Sequence, residues 1–513
     1  MKKTPLSIGI VALSWSVVVM AQAGVEQPAA SARRSTAEQL VLTETSHGNV
    51  AKFGNVKDED RTLDSSFLEK LLLGLLKEEK ISHEGVHIEH AIIEGRLSLA
   101  GAKIGYSTWL NDCQFEDGID LSDSDIDGTL SVERSVFDGS EGVDLVGMRV
   151  QGNVVLRKSV FNGPFNISDA RILGSIYGGG AQFVSTPKLD GVFDGVHVGN
   201  EIELDNTVSE VSLTFQAAEA QFLSLGRNRA LDEQLNTRED ARMRTIAKLN
   251  LNRAVFHRQL FLRDIDIGTF LARNLRIEGL TLLDKVTIRM EADLSHCQLA
   301  DLIVSNVTWP ADGNSTRIGG LTFQFVSPHP EDISSASGFS GGDREWKPLL
   351  AWVRHSVYSP ETYEQLEQAL KKEGHPNLAD ETYEAMEEDA RSKGDLGWAG
   401  ILKNYLLQLL IGYGREPQIA FVFSLIVVLF GWWIFRRPED MEPTAKEYDK
   451  RRYKPFWYSL DLFLPISILH DAELWVPGPT SRWRCNYARI HVLLGWILIP
   501  IGLAAITGLI SAR

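Results

Sequence analysis

The chain has 513 residues, 44% of them hydrophobic and 23% charged, with a formal net charge of −16. That length leaves room for roughly two or three domains and a sizeable core. The negative charge excludes a nucleic-acid binder, which needs a basic face to displace counterions, and three cysteines are too few for a disulfide framework.

Lys2 and Lys3, the apolar run Leu6 to Met20, and Ala21-Gln22-Ala23 have the order of a secretory signal cleaved after Ala23. The residues beyond Ala23 are then exported, and the expectation is a bacterial envelope protein. Residues 24–62 carry no clear period and are expected to be irregular. Over 63–80, Phe67, Leu68, Leu71, Leu72, Leu75 and Leu76 recur at helical spacing, with Asp64 or Ser65 as N-cap. This helix is expected to cap the open edge of a β-structure that starts near residue 82.

From residue 82 to 307 a repeat emerges. Large apolar residues stand eleven apart at Ile93, Ile104, Phe115, Ile126 and Phe137. After a longer step the series resumes at Val150, Phe161, Ile172 and Phe183. A small residue precedes most of them by two, as at Ala91, Cys113, Ser124, Ser135, Ser159, Ala170 and Ala181. Two such halves make one coil of a solenoid. A sandwich of evenly spaced strands has no reason to hold that register. About nine coils at roughly 4.8 Å would give a rod on the order of 40–45 Å long.

The small-x-large register resembles that of pentapeptide-repeat proteins, except that the halves here are eleven residues rather than ten. The implied fold is mainly β, a right-handed parallel β-helix with a degenerate, pentapeptide-like repeat of about 22 residues per coil. The charged stretch 227–249 lacks β-branched runs and is expected to be a helix inserted on one face. Cys113 and Cys297 occupy the same slot in distant coils, too far apart for a disulfide, so both are expected to be free and buried.

Residues 308–343 are expected to contain a Ser/Gly/Pro-rich linker, and 344–394 a helical hairpin that serves as a stalk. Tyr363, Leu366, Gly374, Ala379 and Tyr383 resemble one tetratricopeptide-type hairpin. Residues 398–413 suit a helix lying on a membrane surface. Two apolar segments, 417–435 and 490–510, are long enough to cross a bilayer. The loop between them, 436–489, holds Arg436, Arg437, Lys446, Lys450, Arg451, Arg452, Lys454, Arg482, Arg484 and Arg489, whereas the twenty residues 398–417 hold only Lys403 and Arg415. The positive-inside rule places that loop in the cytoplasm and the solenoid in the periplasm, on the inner membrane. Within the loop, 455–469 is apolar but too short to span, and is expected to be re-entrant or interfacial.

The order of these parts, from "GYGREP" through "FWYSLDLFLPI" to "LLGWILIPIGLAAITGL", resembles the membrane tail of bacterial pentapeptide-repeat envelope proteins. In some of these the tail looks like a two-span ion-channel module. At the filter position this chain reads Phe463-Leu464-Pro465-Ile466-Ser467, without the Thr/Gly run whose carbonyls would replace an ion's water. Gly412-Tyr413-Gly414 has filter letters but precedes the first span. The glycines are expected to end the surface helix, with Pro417 opening the membrane helix.

Candidate chemistry is sparse. Asp117, Asp120, Asp123, Asp125 and Asp127 form an acidic run that could hold Ca²⁺ or act on glycans; solvated turn carboxylates are the plainer reading. His83, His87 and His90 have a spacing that would suit a metal only on a helix. Gly178-Gly179-Gly180 lacks the context of a nucleotide fold. The expectation is therefore a non-enzymatic, membrane-anchored solenoid that binds or scaffolds. It has no catalytic, cofactor or metal residues; its partners are the lipid bilayer and an envelope protein, and nucleic acid is not among them. A channel-like or mechanosensing module and a polysaccharide-acting β-helix are the alternatives.

Overall fold

A computed structural model describes residues 34–54, 56–76, 80–184, 191–209, 211–227, 245–328, 343–415, 418–444, 453–466, 469–478 and 482–507. Most of the first 328 form a parallel β-solenoid of about 10 turns with about 22 residues per turn. The corners explain the period. At Leu121–Ser124 the Ser124 N–H donates to Leu121 O (3.2 Å) and Asp123 sits at φ 54°; at Val132–Ser135 the Ser135 N–H donates to Val132 O (3.1 Å) and Arg134 sits at φ 56°. These are tight turns whose third residue is left-handed. The fourth points into the bend and is small in most coils, where Ser124, Ser135, Ser159, Ala170 and Ala181 are all buried, whereas Met148, Val196, Leu275 and Leu321 fill the same slot in others. Two residues later the next strand makes its first inward position, which takes the large anchor. The buried hydroxyls are satisfied: Ser135 Oγ–H donates to Leu110 O (2.7 Å) and Ser159 Oγ–H to Val132 O (2.6 Å).

Each early coil carries four short strands, for example Thr108–Asn111, Gln114–Phe115, Ile119–Asp120 and Asp125–Ile126. Their parallel partners one coil on begin at Leu130, Val136, Val143 and Arg149. This register stacks like on like inside the rod. Phe115, Phe137, Phe161 and Phe183 form a ladder with ring centroids 4.5, 5.2 and 5.2 Å apart, all nearly parallel. Phe165, Phe193 and Phe215 form a second ladder. From Val255 the short strands merge into long ones, Val255–Leu271 and Arg276–Asp293, which bend around the corners without breaking.

The ends differ from the sequence expectation. Residues 24–62 are not irregular throughout: helix α1 spans Thr36–His47, with a capping box between Ser35 and Glu38, and buries Ala37, Val41 and Leu42 against the first coil. Strand Thr62–Asp64 then pairs with Ile92–Glu94. The capping helix expected over 63–80 is shorter; α2 spans Ser65–Leu72, with Asp64 accepting from the Ser66 N–H. At the far end the solenoid does not stop at residue 307. Strands Thr316–Arg317 and Thr322–Ser327 add further pairing to residues 292–293 and 298–303. Of the helix expected over 227–249, residues Thr245–Asn250 are instead a strand paired with Ser212–Thr214, because Ile246, Leu249 and Leu251 turn into the core. Residues 228–244, like 1–23, where a signal segment is expected, lie outside the described residues. Cys113 and Cys297 are free and buried, with burial pushing each thiol up to about 12.

Three helices close the far end: α3 Asp343–His355, α4 Pro360–Lys372 and α5 Pro376–Lys393. The region expected to be a stalk shares one continuous apolar core with the solenoid. Trp309 stacks on Trp352 (4.9 Å), Thr362 Oγ–H donates to Ile318 O (2.8 Å), and Val357 N–H donates to Thr316 O (2.8 Å).

Next in the chain come α6 Trp398–Ile411, α7 Gln418–Phe435, α8 Pro455–Phe463, α9 Asp471–Leu474 and α10 Arg482–Ile506. Helices α7 and α10 are long and apolar enough to cross a membrane. The second begins eight residues before the expected residue 490, so its first turns carry Arg482, Arg484 and Arg489.

Phe137→Ala removes an inner rung of the buried four-ring ladder and should cost about 3–5 kcal/mol, read as a lowered unfolding midpoint of the full chain in detergent. The exposed Gln182→Ala should stay within about 0.5 kcal/mol. Equal midpoints for the two variants would show that ring stacking does not hold the coils in register.

Candidate functional site at the solenoid–membrane junction

The residues singled out for chemistry do not converge. Asp120 closes a corner, its carboxylate accepting from the Ser122 N–H (3.0 Å) and Oγ–H (2.7 Å). Asp123 is itself a left-handed corner residue, and Asp127 lies 3.9 Å from Lys103 on the next strand. His83 faces Glu84, His87 stacks on Trp109 (3.7 Å), and His90 is a left-handed turn residue. Gly178 opens a corner closed by the Ala181 N–H (2.9 Å). Among the described residues no group of three or more His, Cys, Asp or Glu could hold a metal ion.

Polar side chains converge instead where the helical cap meets α6 and the two long apolar helices. Helix α6 has two unlike sides. Along one edge, Asn404 Nδ2–H donates to Glu387 O (3.2 Å) and Oε2 (2.7 Å), and Gln408 Nε2–H donates to Glu388 Oε1 (3.2 Å). Arg391 donates to Gln408 and lies over the Tyr405 ring, 4.3 Å from its centroid. The opposite side is apolar, with Leu407 and Leu410 packed on Ala420 and Ile501.

The elbow after α6 completes the site. Gly412 is left-handed at φ 51° and ends the helix, as the sequence suggests. Tyr413 is also left-handed (φ 54°), a strained conformation for a bulky residue. It is held because the ring is buried and its hydroxyl donates to Asn404 Oδ1 (2.9 Å). Arg415 then turns back into the cap. It pairs with Glu367 and with Asp380 (3.1 Å), and its guanidinium sits 4.7 Å above the Tyr383 ring. Glu367 lies on α4 and Asp380 on α5, so one cation fastens both helices to the chain just before α7. Desolvation holds the Glu387 carboxyl above the ordinary glutamate value, opposed by Lys403 and Arg391.

Away from the cap, α8 is wedged between α7 and α10. Ser459 Oγ–H donates to Val428 O (2.8 Å). His491 Nε2 meets Ser459 O (2.9 Å), which only accepts, so Nε2 carries the proton and Nδ1 accepts from the Tyr487 O–H (3.2 Å). Glycines allow the wedge: a Cβ on Gly431 would lie 2.3 Å from Ser459 Oγ, and one on Gly495 would lie 1.7 Å from Phe463 O. Asp461 accepts from the N–H groups of Leu469 (3.0 Å) and Ala472 (2.9 Å), fixing the turn that contains Leu464-Pro465-Ile466.

Sequence reasoning missed every member of the Arg415 cluster as a site. The available signal was Arg415 itself, a cation just before a span on the side that is otherwise poor in them. No family model, curated protein or solved structure matches the chain.

Arg415→Met leaves Asp380 without a cation and the buried Glu367 with Lys371 alone, and should destabilise the junction by about 1–3 kcal/mol, seen as faster proteolysis between the cap and α7. Glu387 adds a pH dependence. Its folded-state pKa is raised, so protonation favours the folded state, and the junction weakens as pH rises from the ordinary glutamate value through the folded one. Glu387→Gln should flatten that slope in the unfolding midpoint and raise it at neutral pH. An unchanged slope would place the dependence elsewhere.

Proposed function

We propose that the chain is a non-enzymatic, membrane-anchored module of a bacterial envelope. Its solenoid and cap stand in the periplasm, α7 and α10 cross the inner membrane, and the segment between them opens to the cytoplasm with α8 turned back between the two helices. The solenoid presents binding faces, and the membrane part holds them at a fixed attitude to the bilayer. The carrying observation is the Arg415 cluster, which fastens the cap helices of the rod to the first span through buried charge. A tethered domain meant to move freely would instead join its membrane anchor through an exposed polar linker.

The orientation rests on the excess of Lys and Arg in the 436–489 segment and on the signal-like N-terminus. The small-x-large repeat and the order of parts in the tail support kinship with membrane-anchored pentapeptide-repeat envelope proteins. The cluster also favours a second reading, a load-bearing module in which force on the rod reaches the spans, because its links run without interruption from the last coil through α4 and α5 to Arg415.

Reporter fusions separate these placements. A reporter active only outside the cytoplasm should work at residue 330 and fail at residue 445, and a cytoplasmic reporter should do the reverse. The opposite pattern would overturn the orientation. For the load-bearing reading, patch recordings under tension on membranes carrying the full chain should show current that Arg415→Met reduces severalfold; silent patches would leave the scaffold alone.

A further inference from the structure

Beside the contact of Leu407 and Leu410 with the second span lies a groove of about 660 Å³ between α6 and α10. Ala399, Leu402 and Leu406 line one wall and Leu494 and Ile497 the other, with Lys403 among them. Its size falls in the range of roughly 300–1,000 Å³ typical of small-molecule sites. The walls are apolar apart from Lys403, and several lining side chains stand open: Trp398 is 81% exposed and Leu402 53%. Among the described residues Lys403 makes no ion pair. Its neighbour Glu387 feels the Lys403 charge but spends Oε2 on the Asn404 amide at 2.7 Å, which leaves the ammonium its own donors. Only two cations stand in residues 398–417, and Arg415 is engaged by Glu367 and Asp380.

We propose that this groove seats one acyl chain of a glycerophospholipid whose anionic headgroup meets Lys403 Nζ. The proposal rests on the reading of α7 and α10 as membrane spans. A peptide is a poor occupant, because Lys403 supplies donors but the walls offer nothing to pair its backbone N–H and C=O groups. An acyl chain has no such groups. Lys403 is exposed and feels Glu387 only beyond ion-pair distance, so an anionic headgroup offers its ammonium the direct charge-assisted hydrogen bonds that a neutral one offers less strongly.

The test uses the full chain reconstituted in vesicles of phosphatidylcholine that contain a photoactivatable phosphatidylglycerol, or the matching photoactivatable phosphatidylcholine. Cross-links should map to residues 398–410 and 494–501, with phosphatidylglycerol favoured by about tenfold, the weight of one charge-assisted contact. Lys403→Glu should abolish the preference and leave the cross-linked positions unchanged; Ala399→Trp, which fills the groove, should remove the cross-links. Equal labelling by the two lipids, labelling confined to other surfaces, or recovery of a peptide cross-linked in native membranes would each overturn the proposal. Alkaline extraction of the same membranes checks the premise separately: an extracted chain refutes the spans, whereas a retained chain without groove labelling refutes the groove alone.

Discussion

The structure depends on a bend made twice in every coil. A parallel rod with 22 residues per turn must reverse direction tightly, and at each of these corners one residue takes the left-handed conformation. Several of those residues are not glycine: Asp123, Arg134, Lys158, Asp169, Arg253, Asn274 and His296 all have φ between 54° and 60°. Each carries a conformational cost of roughly 1–2 kcal/mol, tolerable because the parallel ladder on both sides fixes the bend. Stacking then restricts the corner across coils. A Cβ at Gly147 would lie 2.5 Å from Asp123 Oδ1, and one at Gly195 would lie 2.3 Å from Asp169 Oδ1. Corners thus meet from coil to coil: Asp123 and Asp169 each face a glycine one coil on, whereas Asp112 faces Arg134 and bonds to its guanidinium, a relation that runs perpendicular to the chain.

That distinction explains what the sequence could disclose. The inward side of the corner is a pattern along the chain, small then large, and it revealed the solenoid, its period and the free, buried state of Cys113 and Cys297. The outward side is a pattern between coils and stayed hidden. The last coil escaped because Gln298 pairs with Thr322 across a detour through Gly313–Ser315, which breaks the eleven-residue step. Helix α1 escaped because its apolar stripe is thin, although Ser35 and Glu38 carried the capping-box signature. Over 245–250 the charged composition pointed to a helix, but pairing on both edges overrode local propensity.

The junction was illegible for a simpler reason. Arg415 and Glu367 are 48 residues apart, and nothing in the spacing of a cation and a carboxylate on separate helices marks them as partners. Their meeting is a product of the α4–α5 hairpin, which brings Glu367 and Asp380 to one surface. Likewise Gly431 and Gly495 look like ordinary small residues of apolar helices until α8 is placed between them.

The chemistry of the junction reflects the problem α6 must solve. A helix as apolar as "WAGILKNYLLQLLI" would by itself sink into lipid, with nothing to fix its depth or rotation. Asn404 and Gln408 give it one polar edge, and Glu387, Glu388 and Arg391 hold that edge against the cap. An apolar contact of equal strength would slide, because burial energy is non-directional. The hydrogen bonds and the two-carboxylate grip on Arg415 are directional, and they vanish if α6 turns by one residue. The junction thus sets an angle as well as a bond, and that angle fixes how the cap and its rod meet the two long apolar helices.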